Sequence, residues 1–233
     1  MRSVRVSVPC STSNLGPAFD CLGLALSLRN ELTLEIHDGP AETVVEIEGE
    51  GSRTLSRGAD NLMVRAASSV LAGRGGARMV FKAKNRIPLA RGLGSSAAAI
   101  VAGLYAANEL IGGPLDAGQL FEYAVVMEGH PDNVAPALMG GLVATLRQDN
   151  KASAFPLKPH PDLRAVVCVP DFELATSAAR AVLPPTLLRE QAVANIGRSL
   201  LLGVALESGR WDWLPAAMED QVHQPYRAPL VKG

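Results

Sequence analysis

The run PLARGLGSSAAA, residues 88–99, sets two glycines and two serines directly ahead of a long alanine-rich apolar segment. This pattern constrains the chain more than any other, because it reads as a glycine-rich loop feeding a helix. A helix start has unpaired N–H groups and a partial positive charge, so it suits an anion such as phosphate. Gly92 and Gly94 allow a positive φ and close approach of the backbone. Ser95 and Ser96 are placed to cap the helix, and a hydroxyl there can also reach a bound Mg²⁺. No Gly-Lys-Ser/Thr follows, so the run is not the Walker pattern. A plain helix start after a glycine turn has the same composition.

The rest of the chain limits what such a loop serves. A length of 233 residues suggests one large domain or two small ones, and 48% apolar residues suffice for a core. The formal net charge is −1 and only 4% of residues are aromatic, which speaks against nucleic acid as a partner. The apolar stretch 97–107 falls well short of the ~20 residues needed to cross a bilayer, so no membrane partner is expected. The start alternates apolar and polar residues like a strand, unlike a signal peptide. Cys10, Cys21 and Cys168 show no metal spacing and read as reduced thiols, the first two as buried small residues. A soluble cytoplasmic protein is expected.

Alternation predicts strands at 4–8, 30–36, 43–48 and 77–84, the second and third joined at Gly39-Pro40 in a meander. Helices are predicted at 60–72, capped by Asp60 or Asn61, at 96–110, and from Asp116 to about Glu128. A strand follows at 142–146. Segment 148–162 is polar and is read as the domain boundary. Beyond it lie a buried-type strand at 164–170, a short helix at 176–181, a long one at 186–207 and an amphipathic one at 211–222. Strands and helices mix without strict alternation, which favours α+β over a doubly wound sheet.

Two further clusters are polar. PCSTSNLGPAFDCLG, 9–23, packs Ser11, Thr12, Ser13, Asn14 and Asp20 into a turn rich in Gly and Pro. Such residues make local turn hydrogen bonds, or a polar floor for a small substrate in which Asp20 attracts an ammonium group. MEGHPDNVAPALMGG, 127–141, holds Glu128, His130, Asp132 and Asn133. A carboxylate beside phosphates suits Mg²⁺, and Asp or His suits a general base, although a capped turn has the same look. Arg180, one helical turn after Thr176, and Arg227 in HQPYRAP offer planar forks for a carboxylate or phosphate. Each is equally compatible with a surface charge.

Together, PCSTSNLGPAFDCLGLAL, PLARGLGSSAAA and EGHPDNVAPALMGG, in this order, resemble the galactokinase, homoserine kinase, mevalonate kinase and phosphomevalonate kinase superfamily. The first and third strings and HQPYR are most similar to the homoserine kinases. The resemblance covers essentially the whole chain. It implies an N-terminal domain like ribosomal protein S5 domain 2 at 1–150, and a C-terminal ferredoxin-like domain, of which 163–233 is part. It implies ATP and Mg²⁺, L-homoserine as substrate, and a possible homodimer.

Residue by residue, the resemblance gives the loop from Pro88 through Arg91, Gly92, Leu93, Gly94 and Ser95 to Ser96 to the ATP phosphates. It gives Ser96, or else Ser95, to Mg²⁺ with Glu128, and Asn61 to the neighbourhood of the adenine. Asn14 and Asp20 hold homoserine, Thr12 contributing through its backbone and His130 lying alongside. Arg180 and Arg227 grip the substrate carboxylate beside Thr176. Asn133 stands where several relatives carry an aspartate base. An amide cannot take up the proton, so it orients or stabilises, and no dedicated protein base is expected; Asp132 is the alternative. Two departures stand out. Ala18 replaces a usual glycine, which requires a negative φ there. The family's third, C-terminal glycine-rich motif is not found before Gly233, so the second domain is expected to be incomplete. A sister kinase for another small alcohol, and an inactive ATP-binding remnant, are the other readings.

Overall fold

The computed structural model describes residues 1–71, 78–149, 151–172 and 174–231. The predicted limits at residues 72 and 77 lie outside them. The first two strands, β1 (Arg2–Asn14) and β2 (Ala18–His37), pair antiparallel along nearly their whole length, from Arg2 opposite Ile36 to Asn14 opposite Ala18. The polar segment 9–23 is therefore mostly strand, and only residues 15–17 turn the chain. Gly16 supplies a φ of 92° at that turn. The strand extends further than the 4–8 alternation because pairing with β2 continues to Asn14, Cys10 carrying on the apolar face of Val4, Val6 and Val8.

β3 (Glu42–Gly49) does not pair with β2, as a meander would require. After α1 (Leu62–Val70) the chain enters β4 (Arg78–Asn85), which lies between them. β4 runs antiparallel to β2, Glu31 facing Lys84, and parallel to β3, Glu42 facing Arg78. Parallel pairing needs a crossover, and α1 supplies it.

α2 (Ser95–Leu110) and α3 (Ala117–Glu128) match their expected places, and Asp116 caps α3 in a reciprocal box with Gln119. HPDNVAPALM, for which a capped turn is one reading of the sequence, is a helix, α4 (Pro131–Met139), with Pro131 in its first turn, where no intrahelical N–H bond is lost. Gly23 of β2 lies beneath it. A Cβ there would fall 1.9 Å from the Asp132 carbonyl oxygen, so the glycine lets α4 rest on the sheet.

β5 (Leu142–Gln148) joins the other half of β2, and β6 (Lys151–Leu157) pairs with β5. The expected boundary segment thus continues the sheet, in the order β3-β4-β2-β5-β6 with β1 on β2. The main core lies between this sheet and α1–α4, with Leu32, Leu34, Phe81, Ile87, Ile100 and Leu104 fully buried.

Residues 164–170 are not a strand. They pair with no strand among the described residues, and Val166 is 91% exposed. An apolar run becomes a strand only where a ladder receives it. α5 (Thr176–Ala181) and α6 (Arg189–Ser208) follow closely as expected. The helix expected at 211–222 breaks up into a 3₁₀ turn and α7 (Leu214–Ala217), with Pro215 in its first turn. α8 (Gln224–Arg227) comes next. A second, smaller core packs Leu202 and Leu206 of α6 against Leu22, Leu24 and Leu142. No described helix is long and apolar enough to cross a membrane.

Candidate active site

A cavity of about 710 Å³ opens where the loop before α2, the β1–β2 turn, the start of α4 and the segment 170–180 converge. The loop residues Pro88, Arg91, Gly92, Leu93, Gly94, Ser95 and Ser96 all line it. Gly92 and Gly94 have φ of 71° and 62°. Gly94, not a serine, is the N-cap of α2, and no side chain caps that end. Ser95 and Ser96 therefore belong to the first turn of the helix, a correction to their expected capping role. The backbone donors of that turn remain available to an anion. Arg91 lines the cavity while its Nε donates to the Pro170 carbonyl at 2.9 Å.

Ser96 Oγ donates to Glu128 Oε1 at 2.6 Å, so the start of α2 meets the end of α3. Burial pushes the Glu128 carboxyl above its usual range, with the Ser96 hydrogen bond and His130 opposing. Among the described residues no cluster of three or more His, Cys, Asp or Glu is arranged for a metal. A hydroxyl with one carboxylate is still the sparse donor set that Mg²⁺ takes alongside phosphate oxygens and water. The residues therefore fit that ion.

Asn61 lines the cavity as the N-cap of α1, accepting from the Met63 N–H at 3.0 Å and donating to the Ser56 carbonyl. Ala18 is buried and is not among the residues with positive φ.

The opposite end of the cavity is charged. Asn14 and Asp20 both adopt left-handed backbone, with φ of 69° and 57°, and Asn14 Oδ1 accepts the Asp20 N–H at 2.8 Å. Arg180 grips Asp20 with two hydrogen bonds, of 2.9 and 2.7 Å. Arg227 donates to the Ala179 carbonyl at 3.0 Å. Burial, with Arg180 nearby, depresses the Arg227 pKa. Both guanidinium groups lie over the Phe19 ring, 5.4 and 5.1 Å from its centre, and His223 stacks on the same ring at 5.1 Å. Thr176 lines the cavity one turn before Arg180.

His130 Nδ1 lies 2.9 Å from Asp132 Oδ1. That bond raises the His130 pKa against the effect of burial. Asp132 is 2% exposed. Burial alone would raise its pKa, but His130, a Ser13 hydrogen bond and Arg180 bring it below the usual value. Asn133 is held between Ser11 and Ser13, each 3.0 Å away.

Thr12 is the exception: it faces Leu24 in the sheet and is not among the residues lining the cavity. The sequence signal was the strand period, which puts Ser11 and Ser13 on one face and Thr12 on the other. Phe19 and His223 had no sequence signal, since their meeting depends on residues about 200 positions apart. Cys10 is buried as expected, whereas Cys21 is exposed.

Residues 61–141 match the GHMP kinases N-terminal domain. A homoserine kinase of Moorella thermoacetica is 45% identical over 98% of this chain and 77% of its own length. One from a Synechococcus species is 47% identical over 99% of this chain and 76% of its own. The crystal structure of homoserine kinase from Cytophaga hutchinsonii superposes with a TM-score of 0.84 at 28% identity, covering 99% of this chain and 76% of that one. A mevalonate kinase of L. major, solved with R-mevalonate, shares the fold at 18% identity, with a TM-score of 0.66 over 92% of this chain and 72% of that one. The chain thus spans about three quarters of the length of these relatives.

Proposed function

The chain belongs to the homoserine kinase family of the GHMP kinases. On that premise we propose which of its residues transfer the ATP γ-phosphoryl group to the side-chain hydroxyl of L-homoserine, giving O-phospho-L-homoserine for threonine biosynthesis. One observation carries the assignment: a glycine-rich helix start and a corner with both signs of charge line the same cavity. The first suits a polyphosphate and the second an amino-acid zwitterion.

The loop 88–96 holds the ATP phosphates through its backbone donors, and Asn61 lies toward the adenine. Ser96 and Glu128 would hold Mg²⁺, which supplies charge neutralisation on the phosphate oxygens when bound. Asp20 takes the homoserine ammonium, while Arg180 and Arg227 take its carboxylate, with Asn14, His130 and Thr176 around them. Thr12 contributes only through the strand that carries its neighbours. Asn133 orients the hydroxyl beside the phosphoryl group and stabilises its developing charge. Asp132 is a poor base, since its carboxylate is buried and already receives hydrogen bonds from His130 and the Asn133 N–H. The proton passes instead to the transferred phosphoryl group. In a loose transition state such positioning supplies most of the rate.

The finer architecture follows the family. The S5 domain 2-like unit extends past residue 150 to take in β6 (Lys151–Leu157). Residues 163–233 form part of the ferredoxin-like domain. The exposed apolar stripe of Val193, Ile196, Leu200 and Val204 on α6 supports self-association as a homodimer. Location in the cytoplasm fits the substrates.

The test is ADP release by the purified chain with MgATP and L-homoserine, against mevalonate, galactose and no acceptor. Release that depends on homoserine alone is expected. Release with another alcohol instead overturns the substrate assignment.

A further inference from the structure

Asn133 has a side chain whose two ends look alike in shape and opposite in chemistry. Its oxygen accepts and its nitrogen donates. Which end faces the reacting hydroxyl decides what the residue contributes. In this fold the choice is made by three neighbours. Ser11 Oγ donates to Asn133 Oδ1 at 3.0 Å. Asn133 Nδ2 donates to Ser13 Oγ at 3.0 Å. Ser13 Oγ also faces a second amide donor, Asn14 Nδ2, at 3.4 Å.

Every donor in this chain points the same way. Ser13 Oγ receives the amide nitrogens of both Asn133 and Asn14, so its lone pairs face them. Ser13 is thus the acceptor toward Asn133, which presents its NH₂. The amide oxygen is thereby turned to Ser11, which must give its hydrogen. An amide flipped by half a turn would set NH₂ against the Ser11 donor and its oxygen against the Ser13 acceptor, losing both bonds as they stand.

Ser11 holds the chain to the phosphate loop as well. It is fully buried, and its backbone N–H donates to the Leu93 carbonyl at 3.2 Å. Gly94 packs directly on the Ser11–Asn133 bond: a Cβ there would fall 2.1 Å from Ser11 Oγ and 3.0 Å from Asn133 Oδ1. Ser11 therefore joins the end of β1, the loop and the start of α4. Among the described residues, the second Asn133 N–H has no protein partner, which leaves it for the cavity.

We propose that Ser11 is a positioning residue: by donating to Asn133 Oδ1 it fixes the amide with its NH₂ toward the transferred group, in register with the phosphate loop. This rests on the role given above to Asn133, and the experiment separates the two.

The side-chain NH₂ resonances of Asn133 are assigned by their loss in Asn133→Asp. Ser11→Ala should shift and broaden them, as the oxygen loses its donor and the amide samples both orientations. Ser11→Cys, of similar size and with a weaker donor, should fall between, and it serves in place of alanine should that variant not fold. Unmoved resonances in the folded variants overturn the proposal, whatever Asn133 does in turnover. In kinetics, Ser11→Ala should lower kcat about fivefold, as loss of one ordinary hydrogen bond implies, with both KM values within about twofold. In an Asn133→Ala background the same substitution should change nothing further. An equal loss in both backgrounds would mean that Ser11 acts on the fold rather than through Asn133. Full turnover by Asn133→Ala would instead overturn the role of Asn133 while leaving the resonance result standing.

Discussion

Asp20 and Arg180, 160 residues apart, face each other in a two-point ion pair of 2.7 and 2.9 Å at one end of the cavity. The pair is about one-third exposed on each side, so it is accessible to an incoming zwitterion. An amino acid can part it and satisfy both halves, the ammonium at Asp20 and the carboxylate at Arg180. A ligand with one charge leaves the other half unpaired. Arg180→Lys keeps the charge and loses the fork. It should raise the homoserine KM by about tenfold, the lower end for a charged hydrogen bond, with kcat within about threefold. 4-Hydroxybutyrate and 3-amino-1-propanol should both be far poorer acceptors than homoserine. Equal use of either would remove the ion pair from substrate selection.

The two loop glycines differ in what surrounds them. Both have positive φ, but a Cβ at Gly92 meets nothing within 4 Å, whereas one at Gly94 meets Ser11 and Asn133. Gly92→Ala should cost about 1 kcal/mol from backbone conformation alone. Gly94→Ala should cost about 2–4 kcal/mol, since overpacking adds to it. Urea unfolding midpoints measure both; equal losses would refute the close packing of loop on strand.

The Mg²⁺ role proposed for Glu128 and Ser96 is open to a direct test. Glu128→Gln should raise the Mg²⁺ concentration needed for half-maximal rate and lower kcat by about 100-fold. Ser96→Ala should act in the same direction and less strongly. A Mg²⁺ titration of Glu128→Gln identical to that of the parent would take the carboxylate out of metal binding.

Acid stability depends on Asp132. Its folded pKa lies below the ordinary value, so its stabilisation is present above the unfolded pKa and is lost as pH falls through the folded one. His130→Ala removes the nearest hydrogen-bond partner and weakens what opposes burial there. The acid loss of stability should then begin at higher pH than in the parent. Urea midpoints from pH 3 to 7 would show it, and coincident profiles would mean that His130 does not hold the Asp132 charge.

Much of this was legible in the residues. The start of α2, the box of Asp116 and Gln119, the short helix carrying Thr176 and Arg180, and the polar strings around Asp20 and Asn133 all depend on neighbours within a few positions. Capping, glycine torsion and one-turn spacing are local effects, so the local sequence determines them. The serine alternation through Ser11 and Ser13 was equally local.

Other features depended on partners far along the chain. The 43–48 alternation determined that β3 would be a strand, but pairing energy against β4 decided where it lies. The apolar run at 164–170 has the composition of a strand and no ladder among the described residues to complete it. HPDNVAPALM packs as a helix against β2, where Gly23 leaves room for it on the sheet. The Asp20–Arg180 pair, the Phe19 corner and the bonds that hold Asn133 between Ser11 and Ser13 each join side chains from separate elements. Side-chain direction and long-range contact are set only when those elements pack. The sequence therefore determined which groups this protein has for its chemistry, and the tertiary structure decided which of them meet.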